Sequence, residues 1–389
     1  MEINHLLKQV STPAFVYCYD TLKKSKDNVQ NAIDGLCTGN WIAYSYKTNP
    51  LLAPYLANLG CAMQVTSVQH LMEVTSFLSE EAIRNSFYCS GSLTAKDALE
   101  VIKSGIYIVV DSISQLAIID KVSQSLDIKP RVLIRVDAGQ SAIDSPFGTS
   151  GMLQGIDIKT LPKLLNNPYS NVRIVGIHNH FGSQVTSLDA WQENIRRIAT
   201  IVCDLDYPLE ILNLGGGTPI NYDSMNVPNI EEIYEKSLIT SLKSMKDIHP
   251  SLKIVVEPGR YIVGPCGFLV ATATNLHSAD NRQGANLDAS LFASFQDRFL
   301  SNLSFQFPVL EPKADINSSS KTILRGSSPA SIDYFGIYEH IPNVNLGDKI
   351  IFGMAGAYAS SMGSGFSGVE CPKEYVLRDL ALEDISNDK

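Results

Sequence analysis

At 389 residues, with 44% hydrophobic and 18% charged side chains and no low-complexity tract, the chain is globular and long enough for two domains or a large barrel with an added module. A net charge of -9 without a basic stripe argues against a nucleic-acid partner. The start, MEINHLLKQVSTPAFVY, has no basic segment leading into an apolar run, and no stretch approaches the ~18 apolar residues of a membrane span, so the expectation is a cytoplasmic protein away from the membrane. The cysteines at 18, 37, 61, 89, 203, 266 and 371 are odd in number and show no C-x-x-C spacing, which fits reduced core residues rather than a disulfide frame or a metal site.

In chain order, WIAYSYKTNP at 41–50 reads as a short apolar strand that ends on Lys47 and the turn Asn49-Pro50. Alone, Lys47 is an ordinary strand-end lysine reaching water. The helical pattern LLAPYLANLG follows, then FYCSG with TAKDALEVIKSG, and IYIVVD with SISQLAIIDKVSQS. RVLIRVD, RIVGIHNHFGSQ, LEILNLGGG and LKIVVEPGR continue the series, with helical stretches such as DAWQENIRRIATIVCDL between them. Strand-helix units repeating at this rate predict a closed (β/α)8 TIM-type barrel over 25–262. Beyond it, YIVGPCGFLVATAT, TILRG, DKIIFGMAGAY and EYVLRDLAL are β runs and turns, so 1–24 and 263–389 are expected to form a mostly β domain.

In such barrels the chemistry sits at strand C-terminal ends, and Lys47, His180, Gly215 to Gly217, Glu257 and Arg260 all follow apolar strands. Three successive glycines let backbone N–H groups approach an anion, although a plain tight turn explains them equally well. His178 and His180 alternate along their strand, which predicts that one faces the barrel interior and the other does not. Glu257 and Arg260 also suit an ordinary ion pair at the barrel rim.

Together these residues resemble the fold-type III pyridoxal-phosphate decarboxylases, the group of diaminopimelate, ornithine and arginine decarboxylases with the alanine racemase-like fold. The resemblance runs from TPAFVYCYDTL through YSYKTNP, VRIVGIHNHFGSQ, LNLGGGTPI and VVEPGRYIVG to GMAGAYASSMG. It implies that Lys47 forms the Schiff base with pyridoxal 5'-phosphate, His180 stacks on the ring and Gly215, Gly216 and Gly217 hold the phosphate. It places Ser183 and Arg260 beside that phosphate, Glu257 on the pyridine nitrogen, and Tyr358 on the phosphate from the β domain of a partner subunit. The implied assembly is a homodimer with shared active sites. The chemistry asks for the same residue types. The lysine must lose a proton to attack, and a carboxylate at the pyridine nitrogen keeps that nitrogen protonated, so that the ring accepts electrons when the Cα carboxylate leaves. Racemases of the related barrels place an arginine there, and Glu257 weighs against that alternative. A non-catalytic pyridoxal-phosphate barrel is the third reading, and the second β domain with Tyr358 speaks against it.

Several positions depart from the family pattern. Where the family carries a G-P-x-C-E-S-x-D-like segment, this chain has Gly326-Ser327-Ser328-Pro329-Ala330-Ser331-Ile332-Asp333. Proline cannot deliver the proton the family cysteine gives to Cα, and alanine cannot bind a distal ammonium. Gln64 and Pro146 replace residues that are usually acidic and basic. The expected substrate is therefore an amino acid without a free distal amine, or an amino-acid derivative that is acylated, conjugated or carrier-linked, as in siderophore or antibiotic assembly. Arg325, Ser331 and Asp333, with Arg298, are the candidate substrate contacts.

Overall fold

The computed structural model describes residues 2–36, 39–137, 154–166, 169–222, 225–279, 282–301, 305–310, 321–339, 341 and 343–386. Its strands are β1 (Ala14–Cys18), β2 (Trp41–Ser45), β3 (Ala62–Val65), β4 (Phe87–Cys89), β5 (Tyr107–Val110), β6 (Arg131–Asp137), β7 (Ile156–Asp157), β8 (Arg173–His178), β9 (Ile211–Asn213) and β10 (Lys253–Val256), then β11 (Gly267–Ala279), β12 (Arg282–Leu287), β13 (Thr322–Arg325), β14 (Tyr334–Tyr338), β15 (Lys349–Phe352), β16 (Lys373–Arg378) and β17 (Ala381–Asp384).

Strands β5-β4-β3-β2-β10-β9-β8-β6 are hydrogen-bonded in that order, and the pairing of β5 with β6 closes them into a parallel barrel, with β7 appended to β6. Each barrel strand contributes one residue to an apolar plug: Ala43, Ala62, Phe87, Val109, Leu133, Val175, Ile211 and Val255. Connecting helices bury one face. The helix Leu188–Asp204 puts Trp191, Ile195, Ile198 and Val202 inward at helical spacing, and Ser187 caps it by accepting from Ala190 N. The helix Ala95–Ser104 begins with a reciprocal Thr94–Asp97 capping box and ends at Gly105, whose φ of 74° suits a residue without Cβ.

A second sheet runs β14-β13-β12-β11-β1-β16-β17, with β15 on β11. The early strand β1 sits inside it, antiparallel to β11 and parallel to β16. One expected β run is interrupted. Within YIVGPCGFLVATAT, Arg260–Val263 is a helical turn, and extended pairing starts only at Gly267. The glycines that flank the break sit against crowded backbone. A Cβ on Gly264 would lie 2.7 Å from Arg260 O, and one on Gly267 would lie 2.6 Å from Ala355 C. The six described cysteines are free, and Cys37 lies outside the described residues. Among the described residues no helix is long and apolar enough to cross a membrane.

Candidate active site

The plug residues locate the site. On a strand, positions two apart share a face, so the residue two places beyond a plug residue also points inward at the C-terminal mouth, except on β8, where Ile177 follows Val175 into the core and His178 lines the mouth instead. Ser45, Gln64, Cys89, Asp111, Arg135 and Glu257 stand at those positions, and all line one cavity of about 390 Å³ together with Lys47, Thr66, His178, His180, Ser183, Gly216, Gly217, Arg260 and Tyr358. Asn213, two beyond Ile211, lies behind this wall and donates to Glu257 Oε1 at 2.8 Å. Lys47 is exposed within a single helical turn directly after β2, which turns its side chain over the mouth.

Glu257 is 6% exposed, and its second oxygen lies 3.5 Å from His178 Nε2. Burial alone raises its carboxyl pKa, but His178, His180 and the Asn213 donor outweigh that and hold it below the ordinary carboxylate range. Asn213 Oδ1 also accepts from Gly215 N at 2.9 Å, and Glu257 N donates to Gly215 O at 2.8 Å, so carboxylate and glycine turn form one hydrogen-bonded unit. His180 Nδ1 accepts from Gly216 N at 3.1 Å, which fixes a neutral ring with Nδ1 unprotonated. Burial, reinforced by the charges of Arg135 and Lys47, lowers that imidazole to about 3.

The expectation that only one of the two histidines faces inward is corrected, since both line the cavity. Residues two apart share a strand face, and β8 in any case ends at His178, leaving His180 on the following loop. Tyr358 also needs correction. It lies in its own chain's cavity, where Tyr358 N donates to Thr48 O at 3.0 Å beside Lys47 and its ring centroid lies 4.8 Å from the Arg260 guanidinium. No partner subunit is required to bring it there.

Arg325, Ser331 and Asp333 do not line this cavity among the described residues. Asp333 is fully buried, and its carboxylate accepts from Ser290 Oγ (3.0 Å), Leu291 N (2.7 Å) and Ser328 N (2.9 Å), which makes it the organiser of its own loop. Ser331 is exposed, while Arg325 is half-buried in β13 across from Tyr334. Arg298 is 2% exposed, donates to the carbonyls of Phe305, Tyr334 and Phe335, and does not line this cavity among the described residues. Gln64 does line the cavity and accepts from Ser45 Oγ at 3.1 Å, whereas Pro146 lies outside the described residues. The residues left unread include Ser45, Thr66, Cys89, Asp111, Arg135 and Asn213. Arg135 Nη1 lies 3.8 Å from Asp111 Oδ1, and Arg135 also donates to Gln154 Oε1 at 2.7 Å.

The donor set fits a phosphorylated pyridine. Only glycine permits the cradle, because a Cβ on Gly216 would lie 2.6 Å from Glu257 O, and Gly217, at φ +114°, would put one 2.7 Å from Gly182 O. A buried anionic carboxylate, a neutral imidazole, an arginine and a lysine complete it. The fold and this site define a pyridoxal-phosphate barrel enzyme with a second, mostly β sheet.

The comparisons agree. Residues 22–264 match the model of the pyridoxal-dependent decarboxylases, pyridoxal binding domain, and the chain belongs to that family. It is a pyridoxal-phosphate-dependent amino-acid decarboxylase, a carboxy-lyase. A diaminopimelate decarboxylase of Helicobacter pylori is 28% identical over 390 residues, covering 97% of this chain and 92% of that one. One of Methanocaldococcus jannaschii is 26% identical over 348 residues, with 85% and 77% covered. Among solved structures, diaminopimelate decarboxylase from Helicobacter pylori complexed with L-lysine superposes with a TM-score of 0.86 at 24% identity, over 98% of this chain and 95% of that one. A lysine/ornithine decarboxylase from Vibrio vulnificus complexed with putrescine gives 0.78 at 19% identity, with 97% of each chain covered.

Proposed function

We propose that the chain decarboxylates an amino acid whose distal amine is acylated, conjugated or carrier-linked, in biosynthesis of the siderophore or antibiotic kind. One observation carries this reading: both carboxylates that line the cavity among the described residues are already engaged. Glu257 is held by Asn213 and His178, while Asp111 accepts from Gly155 N and faces Arg135. A free distal ammonium would meet no unengaged carboxylate, at a cost of several kcal/mol for an unpaired buried charge. The segment from Gly326 to Asp333 adds no rescue, since Pro329 and Ala330 carry neither proton nor charge.

In this reading Lys47 binds the cofactor aldehyde carbon, His180 stacks on the ring, and Glu257 keeps the pyridine nitrogen protonated. Gly215, Gly216 and Gly217, with Ser183, Arg260 and Tyr358, hold the phosphate. Bound pyridoxal phosphate supplies the sink for the electron pair released as the carboxylate leaves Cα. With Pro329 in the family cysteine's place, Lys47 or an ordered water returns the proton to Cα. The protein acts as a cytoplasmic homodimer in which the loop holding Pro329, Ser331 and the 56%-exposed Ile332 meets the partner's cavity mouth.

Carbon dioxide release from paired substrates, each diamino acid offered free and with its distal amine acylated, tests this. The acylated member should be turned over at least 100-fold faster in kcat/KM, a gap expected where a site rejects an unpaired charge. The relatives' names favour free diaminopimelate instead, and its turnover at a rate equal to that of the acylated substrates refutes the proposal. Exchange of the Cα hydrogen in deuterium oxide without carbon dioxide release would favour a racemase.

A further inference from the structure

The arginine at the cavity wall is not held by the barrel alone. Arg260 is 5% exposed, and its Nη1 donates both to Tyr222 OH and to Asp297 Oδ2, each at 2.5 Å. Asp297 lies beyond β12, in the short helix Asp297–Leu300, and is itself 3% exposed. That helix is pinned by the next residue. Arg298 reaches three backbone carbonyls, at Phe305, Tyr334 and Phe335, so Asp297 cannot drift with its loop. Tyr222 is fixed in turn by stacking on Phe305, with centroids 4.2 Å apart. The short helix after β12 and the loop after β9 thus grip one nitrogen of Arg260, and the guanidinium carbon lies 4.8 Å from the Tyr358 ring centroid.

An arginine has many rotamers, and a partner that fixes the planar guanidinium limits them. We propose that Asp297 is a positioning residue for phosphate: through Nη1 it holds Arg260 in the orientation that lines the cavity, the orientation in which the guanidinium meets the cofactor phosphate. This rests on the reading above that Arg260 takes the phosphate. Asp297 touches neither substrate nor cofactor and acts entirely through Arg260. Phosphate affinity therefore depends on a residue outside the barrel. Outer partners that orient metal ligands typically change metal affinity by about 10- to 100-fold when removed, and the same order is expected of a partner that orients a phosphate-binding arginine.

The experiment titrates apo-protein with pyridoxal phosphate and, separately, with pyridoxal, which has the same ring and aldehyde but no phosphate. Binding is followed by absorbance, and the bound phosphate by its 31P chemical shift. Asp297→Ala should weaken pyridoxal phosphate about 10- to 100-fold, shift the 31P resonance and leave pyridoxal affinity unchanged. Asp297→Asn, which keeps an oxygen acceptor but no charge, should fall between wild type and alanine, and it serves if the alanine variant does not fold. Arg260→Gln should show the same selective loss, and the double variant should lose no more than Arg260→Gln alone. Equal weakening of both ligands by Asp297→Ala, with an unmoved 31P resonance, makes Asp297 merely structural and overturns the proposal while leaving the Arg260 reading intact. Arg260→Gln without selective loss overturns that reading and the proposal with it.

Discussion

His180 shows how burial and neighbouring charge set the state of one side chain. Its imidazole is lowered from 6.5 to about 3, by burial first and then by Arg135 and Lys47. In the folded chain it stays neutral down to about 3, while in the unfolded chain it protonates below about 6.5. The unfolded state therefore binds more protons between those values. The stability His180 contributes is full above 6.5 and is lost as pH falls toward 3. Apo-protein melting midpoints should drop between pH 7 and pH 5, and His180→Gln should flatten that slope, leaving the smaller part due to His70, whose pKa burial also lowers. An unchanged slope in the variant would show that the fold does not lower the His180 pKa. Lys47 gives a simpler outcome. Borohydride reduction of the holoenzyme should fix pyridoxal phosphate covalently, and Lys47→Ala should abolish the adduct, whereas a variant with the same adduct would place the lysine elsewhere.

At the scale of the elements, the site is written in seven of the eight barrel strands by one rule, an apolar plug residue followed two places later by a polar one, and only β8 departs from it, with Ile177 after Val175. Ala43 precedes Ser45, Phe87 precedes Cys89, Val109 precedes Asp111, Leu133 precedes Arg135, and Val255 precedes Glu257. The strand-helix alternation and the ends at Lys47, His180 and Glu257 were legible because period and chemistry coincide there. Cys89, Asp111, Arg135 and Asn213 carried the same signal in FYC, VVD, LIR and ILN but had no motif to draw attention to them. Asp333 and Arg298 could not be read this way. Their partners, Ser290 and Leu291 in one case and Tyr334 and Phe335 in the other, lie far along the chain, and strand or helix period says nothing about such pairs. The glycine turn gives the element's own test. Gly216 has the carbonyl of Glu257 where its Cβ would go, at 2.6 Å, so Gly216→Ala must displace either the turn or the carboxylate's backbone. A shift approaching 1 Å at a positioned group costs on the order of 10²-fold in rate. Gly216→Ala should lose activity on that order and weaken pyridoxal phosphate binding, measured by apo-protein titration. A near wild-type variant would show that the turn is not the cradle.

At the scale of the whole molecule, the position of Tyr358 decides which mixed dimers can work. Lys47 and Tyr358 line the same cavity of one chain, whereas the loop with Pro329, Ala330 and Ser331 does not reach it. If two chains associate so that this loop completes the partner's mouth, a defect in the barrel and a defect in the loop reside in different halves of each site. Mixing Lys47→Ala protomers with Ala330→Trp protomers, each inactive as a homodimer, then creates hybrids in which one site has an intact barrel and an intact loop. Random exchange makes half the dimers hybrid with one good site of two, so about one quarter of wild-type activity should return. Lys47→Ala mixed with Tyr358→Ala should recover none, because every barrel in that mixture lacks one of two groups that must share a chain. Recovery in the second mixture would mean that Tyr358 serves the partner's site after all. Full activity of Ala330→Trp alone, or a monomer of full activity by sedimentation, would remove the loop from the site and leave each chain complete in itself.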